Sequence, residues 1–201
     1  MKIAILGATG MAGSRILAEA LDRGHAVTGV ARDPGRLPSR AGLTPVRADV
    51  LASGLADILS GHDAVVSAMH FTGVPPGPII AAAKVAKVRL LVVGGAGSLE
   101  VAPGVHLVDT PEFPGAYKAE ASAGRDFLNV LRGETGLDWT SLSPSALFEP
   151  GERTGRFRLG GDALLVDGAG KSRISAEDYA IALLDEIEHP RHVRQRFTVG
   201  Y

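Results

Sequence analysis

Cysteine is absent from the 201 residues, which excludes a disulfide framework, a thiolate metal centre and a cysteine nucleophile. An excess of either charge is also missing: 21 Lys+Arg face 22 Asp+Glu, for a formal net charge of -1. Surfaces that bind nucleic acid or anionic membranes carry a clear positive balance, so neither partner is expected. No apolar run approaches the roughly 20 residues of a membrane span, and Ile3–Leu6 is too short for a signal-peptide core. The expected location is the cytoplasm. No solenoid-type period is present. Hydrophobic residues at 45% and charged ones at 21% describe an ordinary folded chain. What stands out is glycine, 26 residues against a usual share of about 7%.

Those glycines punctuate an alternation of short β-branched runs and helix-like segments. Strands are predicted at Lys2–Leu6, Ala26–Ala31, Leu43–Arg47, Ala64–Ala68, Arg89–Val93 and Asp138–Leu142. Helices are predicted at Met11–Arg23, Leu51–Ser60 and Ile79–Ala86, with another ending near Arg132. Apolar strands separated by helices imply an α/β fold with a doubly wound parallel sheet of Rossmann type. The whole chain, 1–201, reads as a single domain with a small C-terminal cap at about 150–175. In that cap, Arg156–Leu159 and Ala163–Val166 flank Gly160-Gly161-Asp162 and predict a β-hairpin. Ser175 followed by Asp178 is a capping-box pattern for a helix running to about Glu188, stopped by Pro190. Gln195–Tyr201 reads as a terminal strand.

The most specific motif is Gly7-Ala8-Thr9-Gly10-Met11-Ala12-Gly13, directly after the first strand and opening the first helix. Glycines permit a tight turn, close backbone approach to a pyrophosphate and close helix–strand packing. Free N–H groups at the helix start then bind the phosphate. Gly7, Thr9, Gly10, Met11 and Gly13 are the predicted cradle for NAD(P)(H). At the end of the second strand, Arg32 stands where a guanidinium would pair with a 2′-phosphate, favouring NADP(H). Asp33 follows at once and leaves NAD(H) open through the ribose hydroxyls. Asp49 could accept from an adenine amino group and Val50 pack on the ring. Ser67, Ala68 and Met69 close the fourth strand, where small residues let the backbone approach the ribose.

These residues together resemble the atypical, compact branch of the short-chain dehydrogenase/reductase superfamily, which includes NmrA-like and biliverdin reductase B-like proteins. The likeness is greatest to its bacterial NADH-flavin reductase group. It rests on Gly7-Ala8-Thr9-Gly10, Val92-Val93-Gly94-Gly95-Ala96-Gly97-Ser98-Leu99, Ser143-Pro144-Ser145-Ala146-Leu147-Phe148-Glu149-Pro150-Gly151 and Ile174-Ser175-Ala176-Glu177-Asp178-Tyr179-Ala180. The resemblance implies an oxidoreductase using NAD(P)H. It also implies a nicotinamide near Gly94–Ser98 and near Ser143, Pro144 and Ser145, whose backbone would meet the carboxamide.

One departure matters for the chemistry. The superfamily's usual Tyr-x-x-x-Lys acid pair is broken, because Tyr117 is followed four residues later by Ala121, and Lys118 points about 100° away on a helix. Hydride delivery to a flavin needs no such acid, since the conjugated ring holds the resulting charge. The expected function is therefore an NAD(P)H-dependent oxidoreductase acting on a flavin-like or other conjugated small-molecule acceptor, with flavin as substrate rather than tightly held cofactor. A non-enzymatic NADP(H) sensor, or a carbonyl reductase with an unusual acid, are the alternatives. Catalytic candidates are His70, Ser98, Tyr117 and Lys118. His106 with Asp109 is a looser pair, and Arg156 with Arg158 could attract an anionic acceptor. No metal-ligand spacing occurs among the six histidines. A monomer or a homodimer is expected, and Trp139 is assigned to the core.

Overall fold

The first strand, β1 (Lys2–Leu6), shows how the layers form. Side chains alternate across a strand, so Ile3 and Ile5 face one way and Ala4 and Leu6 the other, and none of the four is exposed. The two sets belong to two separate cores. A strand covered on both faces must lie inside a sheet flanked by helices.

A computed structural model describes residues Met1 to Tyr201. After β1 come α1 (Met11–Asp22), β2 (Ala26–Ala31), β3 (Leu43–Arg47), α2 (Leu55–Leu59), β4 (Ala64–Ser67), α3 (Pro76–Ala86) and β5 (Arg89–Val93). The rest are β6 (Glu100–Ala102), β7 (Val105–His106), α4 (Gly115–Arg132), β8 (Trp139–Pro144), β9 (Leu147–Glu149), β10 (Arg158–Gly160), β11 (Arg173–Ser175), α5 (Ala176–Glu188) and β12 (Gln195–Gly200). Eight strands form one sheet in the order β10-β12-β8-β5-β4-β1-β2-β3. Every pairing in it is parallel except β10 with β12. The order reverses direction between β1 and β4, the switch point at which doubly wound sheets bind ligands. The fold is the expected α/β Rossmann type.

Helices α1 and α5 cover one face, where Ile16 and Leu17 pack with Leu183, Leu184 and Ile187 against Ile3 and Ile5. On the other face, Leu59, Ile79 and Leu131 pack with Phe127 and Trp139 against Ala4, Leu6 and Leu90. Trp139 is core, as expected, and its indole N–H donates to the Glu134 carbonyl at 3.3 Å. No helix is long and apolar enough to cross a membrane.

Several boundaries differ from the sequence reading. Helix α2 is only Leu55–Leu59, because Gly54 adopts a left-handed conformation at φ +94° and starts the helix there rather than at Leu51. Helix α3 begins earlier, at Pro76, since proline is tolerated in a first helical turn where its missing N–H is not needed. The predicted hairpin around Gly160-Gly161-Asp162 does not form. β10 instead pairs antiparallel with β12, Leu159 opposite Val199, while Ala163 makes a parallel bridge to Glu100. Each half of the expected hairpin found a better long-range partner. The short pairs β6–β7 and β9–β11 were not anticipated.

The segment before β10 is tied down by α5. Ser175 Oγ accepts from the Asp178 N–H at 3.0 Å, the first half of the expected capping box. The reciprocal half is absent, because the buried Asp178 carboxylate turns toward the segment before β10. It accepts from Thr154 N–H (2.8 Å), Thr154 Oγ (2.5 Å), Gly155 N–H (2.8 Å) and Tyr201 Oη (2.8 Å). The Ser175 N–H donates to Tyr201 Oη at 3.3 Å instead.

Candidate functional site

The glycine loop sits at the switch point, and its glycines have separate geometric reasons. Gly7 has φ +79°, and a Cβ on it would stand 2.6 Å from the Ala68 carbonyl oxygen. A Cβ on Gly13 would run into the Gly7 carbonyl, so α1 can seat this close to β1 only with glycine there. Gly10 has an ordinary extended conformation and closes the turn by donating to Gly7 at 2.9 Å. Met69 completes the wall, its Sδ 3.0 Å from where a Gly7 side chain would begin.

The start of α1 is open. Gly10 provides no side-chain cap and the first turn has no acidic residue. The first intrahelical bond is Ser14 N–H to the Gly10 carbonyl, leaving Thr9, Met11, Ala12 and Gly13 N–H without an acceptor in the protein. Orphan donors at the positive end of a helix dipole make an anion site, and the close-packed glycines admit a phosphate to it. The five predicted cradle residues and Met69 therefore lie together, while Ser67 is buried with its side chain inside the sheet end.

From this loop the ends of β2 and β3 lead to a depression of about 490 Å³, lined by Arg32, Arg47, Asp49, Ala52, Leu55 and Ile58 among others. Arg32 is exposed and is among the residues that line this space. Asp33 does not line it: its carboxylate lies beside Gly35, whose Cβ position is 3.4 Å away. Asp49 is present, with Oδ1 committed to the Leu51 N–H at 2.9 Å and the other oxygen free. Val50 departs from expectation. It is buried in the core at 5% exposure, and the apolar wall is made by Ala52, Leu55 and Ile58. A second depression of about 290 Å³ lies on the outer side of α1, where Arg15, Glu19, Arg153 and Glu177 satisfy one another in ion pairs.

Beyond β5 the chain turns tightly over β8. A Cβ on Gly94 would stand 2.9 Å from the Leu142 carbonyl. Ser143 and Ser145 are buried, at 1% and 0% exposure, and Pro144 between them is buried too. Ser145 N–H donates to Val199, Ala146 N–H to Ser172 Oγ and Leu147 N–H to the Ser172 carbonyl. The Ser145 and Ala146 carbonyls carry no such bond, so this strand end can offer acceptors to an amide NH₂ and no side chain.

The catalytic candidates do not assemble. Ser98 is 6% exposed, in a 3-10 turn, and its carbonyl accepts from Arg196 at 3.5 Å. Tyr117 is 67% exposed, and Lys118 is exposed one residue on. His70 is almost fully exposed, with Nδ1 3.4 Å from Glu120 Oε1. His106 and Asp109 are 3.7 Å apart, but Asp109 is already clamped by Arg125 Nη1 at 2.7 and 2.9 Å. Arg158 gives its guanidinium to the Val166 and Tyr201 carbonyls at 2.5 and 2.6 Å, so the Arg156–Arg158 anion patch is reduced to Arg156. No cluster of metal-ligating side chains is present.

Glu120 is a residue of this region that sequence reasoning missed. It accepts from Phe71 N–H (2.7 Å), Thr72 N–H (3.0 Å) and Thr72 Oγ (2.7 Å), and so fixes the loop after β4 to α4. Burial opposes its charge, but the bonds from Thr72 and Phe71 outweigh that and hold the carboxyl below its ordinary value. The loop is seated further by Phe71, whose ring lies 2.9 Å from the Gly124 Cβ position and packs edge-on against Phe127. Only a contact 49 residues apart makes Glu120 visible.

Comparison with known proteins places the fold and the family. The structure superposes on a Burkholderia pseudomallei protein provisionally named an exported protein, with 50% identity, a TM-score of 0.91 and full coverage of both chains. A Bacteroides thetaiotaomicron protein provisionally named an epimerase is 44% identical with a TM-score of 0.93, over 100% of this chain and 96% of that one. A Streptococcus pneumoniae protein provisionally named an NADH-flavin reductase is 35% identical with a TM-score of 0.87, over 100% and 99%. Their names disagree about activity, while their chains share this fold throughout. Residues 7–190 match the model of the NAD(P)H-binding family, and the chain belongs to that family.

Proposed function

We propose that the protein is an NADP(H)-dependent oxidoreductase that reduces a flavin-like or other conjugated small-molecule acceptor. The observation carrying this reading is the uncapped start of α1 behind Gly7, combined with Arg32 rather than Asp33 facing the depression at the ends of β2 and β3. The residues fit the cofactor by chemistry as well as by room. Thr9, Met11, Ala12 and Gly13 N–H groups would hold its pyrophosphate, Arg32 its 2′-phosphate, and the Ser145 and Ala146 carbonyls its carboxamide. The bound nicotinamide supplies the hydride.

The chain's own contribution is placement. The turn after β5 and the loop fixed by Glu120 would bracket the reacting ring from two sides, holding it in a near-attack arrangement with the acceptor. The usual acid of a carbonyl reductase is not assembled: Ser98 is buried, the Tyr117 phenol is exposed, and His70 turns to Glu120. An acceptor that keeps its charge in a conjugated ring suits such a site, and a simple carbonyl does not. The name of the Streptococcus pneumoniae relative supports this reading.

Anaerobic NADPH oxidation with FMN, FAD, riboflavin and a quinone, beside a fluorescence titration of NADPH, tests it. Saturable turnover with a flavin or quinone is expected. Tight NADPH binding with no turnover on any acceptor would overturn the enzyme and leave a cofactor sensor.

A further inference from the structure

Arg196, on β12, is a buried cation with no part in the proposed chemistry. Its side chain is 2% exposed, and taking a guanidinium out of water is costly unless it is paired and hydrogen-bonded. The sheet register explains what it reaches. Arg196 stands beside Ser141 of β8, and Thr198 beside Ser143, so side chains at these positions share with Trp139 the face that α4 covers. From there the guanidinium meets three segments. Nε and Nη2 donate to the Asp162 carboxylate, Nε at 2.7 Å, and Nη2 lies 3.4 Å from the Asp162 carbonyl. Nη2 also donates to the Ser98 carbonyl and Nη1 to Ser143 Oγ, each at 3.5 Å. Asp162 returns to the same turn, since its carbonyl accepts from the Glu100 N–H at 2.8 Å. One planar group thus joins the turn after β5 to the end of β8, the two segments assigned to the nicotinamide ring and its carboxamide.

We propose that Arg196 is a positioning residue that sets the gap between the turn after β5 and the end of β8, and so the seat of the nicotinamide, with Asp162 as its anchor. The assignment rests on the cofactor reading above and adds the residue that holds this side of the site, as Glu120 holds the loop after β4. Both contacts toward the seat are long, so their geometry matters more than their strength. A guanidinium can span Asp162, Ser98 and Ser143 together, and an ammonium cannot. Burial of the ion pair is one-sided, because Asp162 is 58% exposed and also has Arg132 at 3.0 Å. Replacing Arg196 therefore leaves no buried unpaired charge, whereas replacing Asp162 does.

The test compares wild type, Arg196→Met, Arg196→Lys and Arg132→Ala by calorimetric titration. The ligands are NADPH and NADH, beside 2′-phospho-ADP-ribose and ADP-ribose, which lack only the nicotinamide. Fluorescence emission of bound NADPH and thermal unfolding are recorded on the same proteins, so no readout needs turnover. Arg196→Met should weaken the nicotinamide nucleotide by about tenfold or more and the matching fragment by less than about twofold. Its bound NADPH should emit more like the free nucleotide. Arg196→Lys should recover thermal stability, because it keeps a charge beside Asp162, and should not recover the nicotinamide affinity. It carries the same comparison if the methionine variant does not fold. Arg132→Ala should change neither, since Arg132 meets Asp162 from the surface. Equal weakening of nucleotide and fragment, unchanged NADPH affinity and emission, or full rescue by lysine makes Arg196 a staple of the fold alone, which overturns the assignment and leaves the cofactor reading standing. Wild type that binds none of the four ligands overturns that reading and this assignment with it.

Discussion

The Cβ of Ala121 on α4 lies 2.8 Å from the point where a side chain on Gly97 would begin. Ala121 occupies the position at which the usual Tyr-x-x-x-Lys pair would carry lysine, four residues after Tyr117. That position is pressed against the backbone of the turn after β5, so the missing lysine is part of how α4 packs under the site. The turn and the helix approach closely because neither residue has more than a methyl group to place between them.

This contact predicts a coupled pair of effects. Gly97→Ala should destabilise the fold by about 1–3 kcal/mol through overpacking, because the atoms it meets are a Cβ and helix backbone rather than a flexible side-chain tip. Ala121→Gly alone should cost about 1 kcal/mol as a helix glycine. The double variant should be more stable than the sum of the two, and urea unfolding of all four proteins measures it. Strict additivity would show that the contact is not the source of the cost.

Gly10 separates ligand binding from folding. Its backbone is extended, at φ -74° and ψ 172°, and a Cβ there meets only the Gly7 carbonyl at 3.2 Å. Gly10→Ala should therefore fold with a near-normal melting temperature. The methyl group would stand over the free N–H groups of α1, and NADPH affinity should drop by about tenfold or more, the value of a lost charge-assisted contact. Unchanged affinity in a normally folded variant would place the phosphate elsewhere.

The end of α5 carries a pH-dependent tie. Glu186, with a 3% exposed side chain, accepts from Arg89 at 2.5 Å, from the Arg191 and His192 N–H groups, and pairs with His192 Nδ1 at 2.8 Å. Burial penalises its charge, but the bonds from His192, Arg89 and Arg191 outweigh that and hold the carboxyl below its ordinary value. With the folded value depressed, the unfolded chain takes up the proton first as pH falls. The stabilisation is therefore complete above the ordinary glutamate value, about 4.3, and is lost as pH falls through the folded one. Glu186→Gln should be less stable than wild type by roughly 3 kcal/mol at neutral pH, in urea unfolding. The gap should shrink at pH 3, and an equal gap at both pH values would contradict the linkage.

Asp178 holds the segment before β10 through three donors and takes a fourth from Tyr201 Oη. Asp178→Ala would leave Thr154, Gly155 and Tyr201 groups without their acceptor, at a cost of about 3 kcal/mol or more. Proteolysis should become fast near Thr154–Phe157 before the rest of the chain opens. Cleavage there at the wild-type rate would mean that the ion pairs of Arg153 with Glu19 suffice to hold the segment.

The parts legible in the sequence were those governed by neighbours along the chain. Gly7-Ala8-Thr9-Gly10 announces its turn because Gly7 takes a positive φ and Gly10 closes back on it within three residues, and Ser175 announces α5 because the Asp178 N–H it caps is three residues away. The hairpin at Gly160 failed for the opposite reason. Its turn signal was real, but Leu159 and Ala163 are claimed by Val199 and Glu100, partners that no local pattern reveals. Val50 read as a surface contact and is core, while Arg47 read as nothing and is among the residues that line the depression. Val50 lies in the loop after β3, whose path into the core no local pattern of residues reveals.

Tyr117 gives the sharpest division between the chemistries open to this site. Its side chain is 67% exposed, and the position that carries lysine in the usual acid pair is Ala121. If the acceptor is a flavin or quinone, Tyr117→Phe removes nothing the reaction uses, and kcat should stay within about twofold of wild type. If the enzyme reduces a carbonyl and Tyr117 swings in as the acid, the same change should cost about 10²-fold or more in kcat with little effect on KM. Lys118→Ala serves as the companion, since a neighbouring cation supporting the phenol would be lost with it. Steady-state kinetics on whichever acceptor turns over best reads the difference. A large loss in kcat in both variants would return the carbonyl reductase to the front, and a loss in neither fits a site that only holds two conjugated rings together.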